Sequence, residues 1–230
     1  MNILAIDSSN LVMGVAVMTD GHLLAELTTN NKKNHSERLM PAIRQVLASA
    51  GLKTGDIDRF AVARGPGSYT GLRIGVTVAK MMAWSLQKEL VGVSSLEIVA
   101  QNARYFDGLI APFFDARRGR VFAGMYANRG SDIQQIAPDR IIPVEDWLSE
   151  LAEVHRPVLF LSNDLTQWAQ RLKSSLDGAI IGCGAQNIPR AAELAALAAR
   201  RKPETDIHHF LPTYLRLAEA EANWLAKQER

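Results

Sequence analysis

The residues best suited to chemistry fall in a few short stretches. Asp7-Ser8-Ser9-Asn10 closes an apolar run. A turn of that composition offers backbone amides and hydroxyls to a phosphate, with the carboxylate reaching a metal ion through water. A nucleotide-binding hairpin normally places glycine where the phosphate approaches, whereas here Gly14 arrives later. The residue types therefore favour a polar turn that ends a strand, with a weak nucleotide site at Asp7, Ser8 and Ser9 as the competing reading. Gly65-Pro66-Gly67-Ser68-Tyr69-Thr70-Gly71-Leu72-Arg73 leads from a turn directly into a helix. The amides and positive dipole end of such a helix start suit an anion. The string lacks the Gly-Lys-Ser/Thr ending of a phosphate-binding P-loop, and a tight turn capped by Ser68 or Thr70 fits it better.

Asp115-Ala116-Arg117-Arg118-Gly119-Arg120 is the densest cationic cluster, fit either for an anion-binding hairpin or for a solvated turn. His208 and His209 are adjacent and so do not share a helical face. His35 has Leu39, not a second histidine, four residues on, so half of a helical metal chelate is missing. Cys183, between Gly182 and Gly184, reads as a small buried residue because no base stands at a spacing that would activate it. No catalytic residue and no metal ligand set is expected.

These stretches must be held by regular elements. Branched-residue runs at 3–6, 12–17 and 22–28 predict three strands, the last two joined by Asp20-Gly21, a hairpin dipeptide. Asn34-His35-Ser36-Glu37 has the form of a helix start with a capping box, and Gly51 the form of its end. A strand at 59–63, a helix at 70–86, a strand at 90–93 and a helix opened by Ser94 complete a βββαβαβα unit. The order recurs with strands at 109–114, 121–126 and 134–142 and a helix from Pro143. A strand at 157–161, a helix from Asp164, a strand at 179–181 and an alanine-rich helix at 189–201 close the second copy. A further helix is expected after Pro212, with Leu217, Ala218, Trp224 and Leu225 on one face. Strands alternating with helices predict an α/β fold with mixed sheets under helices. The doubled order is that of the two-domain actin, Hsp70 and sugar-kinase (ASKHA) fold. The expected units are 1–104, completed by 212–230, and 105–211.

Within the 70–86 helix, Gly71, Gly75, Ala79 and Ala83 recur at every fourth position in phase with Gly67. Glycine costs about 1 kcal/mol in a helix interior relative to alanine, so the smooth ridge implies a close neighbour. That neighbour is either the 34–50 helix of the same chain or a partner molecule.

The whole chain has 230 residues, 47% hydrophobic and 22% charged, which places it among ordinary globular proteins. Its 26 basic and 24 acidic residues leave a formal charge of +2, too balanced to diagnose a nucleic-acid binder. The single cysteine permits no intrachain disulfide and suggests a reducing compartment. Asp7 interrupts the first apolar run before it resembles a secretory signal, and no stretch of about 18 apolar residues occurs. A cytoplasmic protein is expected.

Taken with 35–41, 65–73, 115–118 and 212–219, the opening Leu4-Ala5-Ile6-Asp7-Ser8-Ser9 resembles the TsaB (YeaZ) family over nearly the whole chain. The resemblance implies a role in making threonylcarbamoyladenosine in tRNA. In that family TsaB does not perform the transfer; the paralogue TsaD carries the metal and transfers the group, and the ATPase TsaE joins the assembly. No cofactor of its own is then expected, ATP and metal belonging to the partners, and tRNA is reached through the complex. The family pairs through its first two helices, as a homodimer alone and as a heterodimer with TsaD. On that basis Leu39, Met40, Ile43, Val46 and Leu47, with Gly71, Gly75, Val78, Ala79 and Met82, form the expected partner interface. A bulky residue at Gly75 should then abolish pairing and leave a folded monomer. The alternatives are an ATP-dependent phosphotransferase using Asp7 and the 65–70 turn, and a peptidase, for which no nucleophile has a base at suitable spacing.

Overall fold

β1 (Asn2–Asp7), β2 (Val12–Thr19), β3 (His22–Asn30), β4 (Arg59–Gly65) and β5 (Glu89–Ser94) form one sheet in the order β3-β2-β1-β4-β5. β6 (Leu109–Asp115), β7 (Arg120–Arg129), β8 (Asp132–Pro143), β9 (Val158–Leu161) and β10 (Ala179–Ile181) form a second with the corresponding order β8-β7-β6-β9-β10. β1 is antiparallel to β2 and parallel to β4, and β6 repeats this with β7 and β9. The chain thus has the duplicated α/β architecture expected from its element order. This computed structural model describes residues 1–31, 34–130 and 132–216.

Both faces of each sheet are covered, so the central strands read as continuous apolar runs. In β1, Leu4 and Ile6 face α1 (His35–Ser49) and α2 (Tyr69–Ser85), while Ile3 and Ala5 face α6 (Ala191–Ala199). In the second sheet Phe113 and Phe160 meet Trp147 of α4 (Val144–Ala152), and Phe113 also meets Trp168 of α5 (Leu165–Ser175). Each such fully buried large side chain contributes about 1.5–3 kcal/mol. The opposite face takes Leu96, Val99 and Ala100 of α3 (Ser95–Ala100).

The last helix of each half therefore reaches across to the other half. α6, expected within the 105–211 unit, packs on the first sheet, and the packing units differ there from the sequence units. The reason is steric: Ala191, Ala195 and Ala198 meet Ala5, Ala16, Ala61 and Ala63, a small-on-small contact that allows close approach. Arg59, nearly buried, donates to the Ala198 carbonyl at 2.6 Å and to the Arg201 carbonyl at 3.1 Å, satisfying the end of α6. Ser94 caps α3 and also donates to Asp139 of β8, which accepts from Tyr126 as well. Burial raises the Asp139 carboxyl above the ordinary range, and burial together with Asp139 raises the Tyr126 phenol.

Two capping expectations change in detail. Asn34 stands at the start of α1, but its side chain bonds the Glu37 carboxylate and not the backbone. Asp164 starts α5, yet its carboxylate accepts the Asp115 amide instead. Residues 212–216 carry no helix, and Leu217, Ala218, Trp224 and Leu225 lie outside the described residues.

Candidate functional site

The β1–β2 turn and the start of α2 close on each other. Asp7, Ser8 and Ser9 come together as expected but are only 1%, 2% and 0% exposed. Asp7 Oδ1 accepts the Ser9 amide at 2.8 Å, and its Oδ2 has no hydrogen-bond partner. Burial pushes this carboxyl above the ordinary range, against weaker opposing pulls from Ser9 and His35. The Ser8 hydroxyl donates to the Gly71 carbonyl at 2.8 Å, and the Ser68 amide donates to the Ser9 carbonyl at 2.6 Å. Ser68 caps α2 by accepting the Gly71 amide. The hydroxyl and amide that would meet a phosphate are thus engaged inside the chain.

The glycine ridge explains this closeness. A Cβ at Gly67 or Gly71 would overlap the carbonyl of Ser9 or Ser8, and one at Gly75 would stand 2.5 Å from Ser8 Oγ. Ala79 and Ala83 continue the ridge into the core. The close neighbour of Gly67, Gly71 and Gly75 is therefore the chain's own β1–β2 turn, while Ala79 and Ala83 pack in the core shared with α1. This corrects the interface expectation for Gly71, Gly75 and Ala79, and it removes Gly75→Leu as a test of pairing, because that variant would break the monomer first. Leu39, Ile43, Val46 and Leu47 are corrected likewise: they are buried against β2, β4 and α2 in the core of the first half.

Of the expected interface residues, Met40 is exposed while Val78 and Met82 are half-buried at the edge of the core. On α2 itself Met81 and Trp84 are large apolar side chains each 51% exposed, Trp84 with His208 edge-on at 5.6 Å. Their spacing, three residues apart and out of phase with the ridge, was the available signal. The small residues mark the inner face of α2, so the outward face is where Met81 and Trp84 fall.

A cleft of about 500 Å³ opens between the halves. The first half contributes Asn10, Ser68, Tyr69 and Leu72, and the second contributes Phe114, Asp115, Arg117, Phe122 and Asp164. The 213–216 segment crosses the cleft mouth. Thr213 bonds the backbone and side chain of Arg64, and Tyr214 packs on Tyr69 with ring centroids 4.8 Å apart. Arg216 donates to the Ala116 carbonyl at 2.9 Å. The cationic cluster 115–120 is the β6–β7 turn, of which Asp115, Ala116 and Arg117 line this cleft.

His35 is held at the α1 start by a 2.8 Å contact from Nε2 to the Asn10 carbonyl, which places the proton on Nε2. Cys183 is exposed, not buried, because the short turn after β10 carries it past the sheet edge. Among the described residues no group of three or more His, Cys, Asp or Glu side chains is placed to hold a metal, and no helix is long and apolar enough to cross a membrane.

Residues 22–224 match the family model of TsaD, tRNA N6-adenosine threonylcarbamoyltransferase. The tRNA threonylcarbamoyladenosine biosynthesis protein TsaB of Bacillus subtilis is 47% identical over 230 residues, covering all of both chains. The chain belongs to the TsaB family. The Escherichia coli TsaB is 28% identical, with 94% of this chain and 95% of that protein aligned. YeaZ of Pseudomonas aeruginosa superposes with a TM-score of 0.76 at 27% identity, covering 93% of this chain and 99% of that one. A second Pseudomonas aeruginosa structure, described as similar to peptidase YeaZ, gives a TM-score of 0.80 over 94% and 99% of the two chains. In this structure the 65–73 string, which resembled the family most specifically, forms the seal between turn and helix.

Proposed function

We propose that this chain is a non-catalytic partner of the TsaD threonylcarbamoyltransferase in forming threonylcarbamoyladenosine in tRNA. In this reading it pairs with TsaD through the outward face of α2 and the adjoining part of α1, and supports the association of TsaE. ATP and metal are bound by those partners, and the complex works in the cytoplasm. The observation that carries the reading is the exposed apolar pair Met81 and Trp84 on α2, a helix that also carries the half-buried Val78 and Met82. A large aromatic anchor next to a methionine is the type of surface that drives protein pairing. The sealed β1–β2 turn supports the same reading, since it leaves a phosphotransferase without its phosphate cradle.

The test is an omission experiment. Purified TsaD, TsaE, the threonylcarbamoyl adenylate generator and unmodified tRNA are combined with and without this protein, and modified adenosine is scored by mass spectrometry. Modification only in the presence of the chain, with none from the chain alone, is expected. Modification that proceeds equally without it would overturn the reading.

A further inference from the structure

The irregular chain that follows α6 is tied to the first half along most of its length. The Glu204 amide donates to the Leu90 carbonyl at 2.8 Å, extending the edge of the first sheet. Phe210 is 4% exposed, and its ring sits where Gly92 has no side chain, since a Cβ there would stand 2.7 Å from it. Lys80 of α2 donates to the carbonyls of His208 and Phe210 at 2.6 and 3.2 Å, and the Thr213 amide donates to the Arg64 carbonyl at 2.6 Å. Past Thr213 the chain crosses to the second half. There Leu215 packs on the sheet face that α3 covers, and Arg216 donates to the Ala116 carbonyl at 2.9 Å. Among the described residues the segment is thus a strap, held at many points on one half and by one side-chain hydrogen bond on the other.

Two of the ties to the first half are made by exposed side chains of α2. Trp84 meets His208 edge-on, with ring centroids 5.6 Å apart. Arg73 lies 4.2 Å from the Tyr69 ring centroid and donates from Nε to the Tyr214 hydroxyl at 3.1 Å. Exposed aromatic and arginine side chains are those a docking partner takes hold of. Atoms of a partner that engage Arg73 or Trp84 therefore compete with the strap for the same groups. Phe210 lies in the core, out of a partner's reach, so the end of the strap nearest the cleft is the part that can respond. Tyr69 and Tyr214 both line the cleft, and a strap that loses Arg73 moves part of its wall.

We propose that residues 204–216 are a strap through which engagement of the outward face of α2 loosens the closure of the cleft between the halves. This rests on the reading that α2 pairs with TsaD and adds a consequence of that pairing for the chain itself. In the free chain the strap ties Tyr214 to α2 and Arg216 to the β6–β7 turn, bridging the two halves. A partner gains Arg73 and Trp84 fully only where the strap releases them, which is the differential contact that a shift between two arrangements requires. Once Tyr214 is free, the bond from Arg216 no longer fixes the halves at one separation. The cross-packed α3 and α6 remain as the joint about which they turn.

The test measures the separation of the halves in the full-length chain by electron–electron double resonance. The exposed Cys183 of the second half carries one spin label, and Gly55→Cys in the first half, where an added Cβ meets nothing within 4 Å, carries the other. The chain with both labels should give one principal distance. Arg73→Ala cuts the strap from α2, and Arg216→Ala cuts it from the second half. Each should raise the population of a second, longer distance by about five-fold, the weight of one hydrogen bond. The two together should do no more than either alone, because they are links of one strap. Adding TsaD should bring out the same second distance in the labelled chain and change nothing further in Arg73→Ala. Distances unchanged in both variants would overturn the proposal, as would additive effects, which would mark two independent surface contacts. A distance that stays fixed while TsaD co-elutes with the chain would overturn it too. Failure of TsaD to co-elute would instead sink the proposed function, and the Arg73→Ala distance would then decide whether the strap links α2 to the cleft.

Discussion

The β1–β2 and β6–β7 turns occupy equivalent places in the two halves and have opposite fates. In the first, Asp7, Ser8 and Ser9 are buried and closed by α2, with the Ser8 hydroxyl bonded to Gly71 and the Ser9 carbonyl to Ser68, while Asn10 and Leu11 reach the cleft. The second is held in left-handed backbone at Arg117, Arg118 and Gly119, with Asp115, Ala116 and Arg117 facing the cleft. Duplication supplied two copies of one device. One copy became a seat for a helix and the other a surface feature, so position within a repeated fold does not determine use.

The comparison can be broken most forcefully at the seat. Gly71→Val drives a branched side chain at the Ser8 carbonyl, a backbone atom that has no room to move, and should cost about 3 kcal/mol or more. Urea unfolding should show a large fall in midpoint or an insoluble product. A folded variant with the wild-type midpoint would mean that the ridge faces outward after all. Ser8→Ala removes a buried hydrogen bond from the same seam and should cost about 1 kcal/mol by the same measurement.

At the second turn the sign reverses. Arg117→Gly should stabilise the chain by about 1 kcal/mol, because glycine adopts the left-handed backbone without strain. A destabilised Arg117→Gly would show that the arginine is part of the turn's own packing. The smallest effect is expected at Asp7→Asn. The folded carboxyl holds its proton to higher pH than the unfolded one because burial penalises the charge. Stability from this group is therefore full below the unfolded value, about 3.9, and is lost as pH rises through the folded one. Asparagine keeps an acceptor for the Ser9 amide and removes that loss, so its melting temperature should exceed the wild type at pH 7 by more than at pH 4. An advantage that grows toward acid would contradict the assignment.

Much of this was legible in the sequence. Turn residues such as Asp20-Gly21, branched strands and helix-starting Ser68 and Ser94 mark local structure directly, and the strand order follows from their repetition. The destination of α6 was not legible, because its alanine face fits any close-packed surface and chain proximity pointed to the second sheet. Periodicity also showed that Gly71, Gly75 and Ala79 share a face without showing what lies on it. The β1–β2 turn lies on its glycines and the core on Ala79, which leaves Met81 and Trp84 on the exposed side of the helix. The turn at 115–120 was legible but the left-handed backbone of Arg117 and Arg118 was not, because arginine lacks the turn preference of Asn-Gly or Asp-Gly.

The most direct test of the central claim is made at Trp84, a side chain that is 51% exposed. Trp84→Glu gives up the edge contact with His208 and should lower the melting temperature by no more than about 4 °C, leaving the chain folded. In the reconstituted reaction it should nevertheless lose TsaD pairing and at least about ten-fold of the threonylcarbamoyladenosine yield, the effect of losing one hot-spot anchor. Full pairing and full yield from this variant would show that the chain does not act through α2.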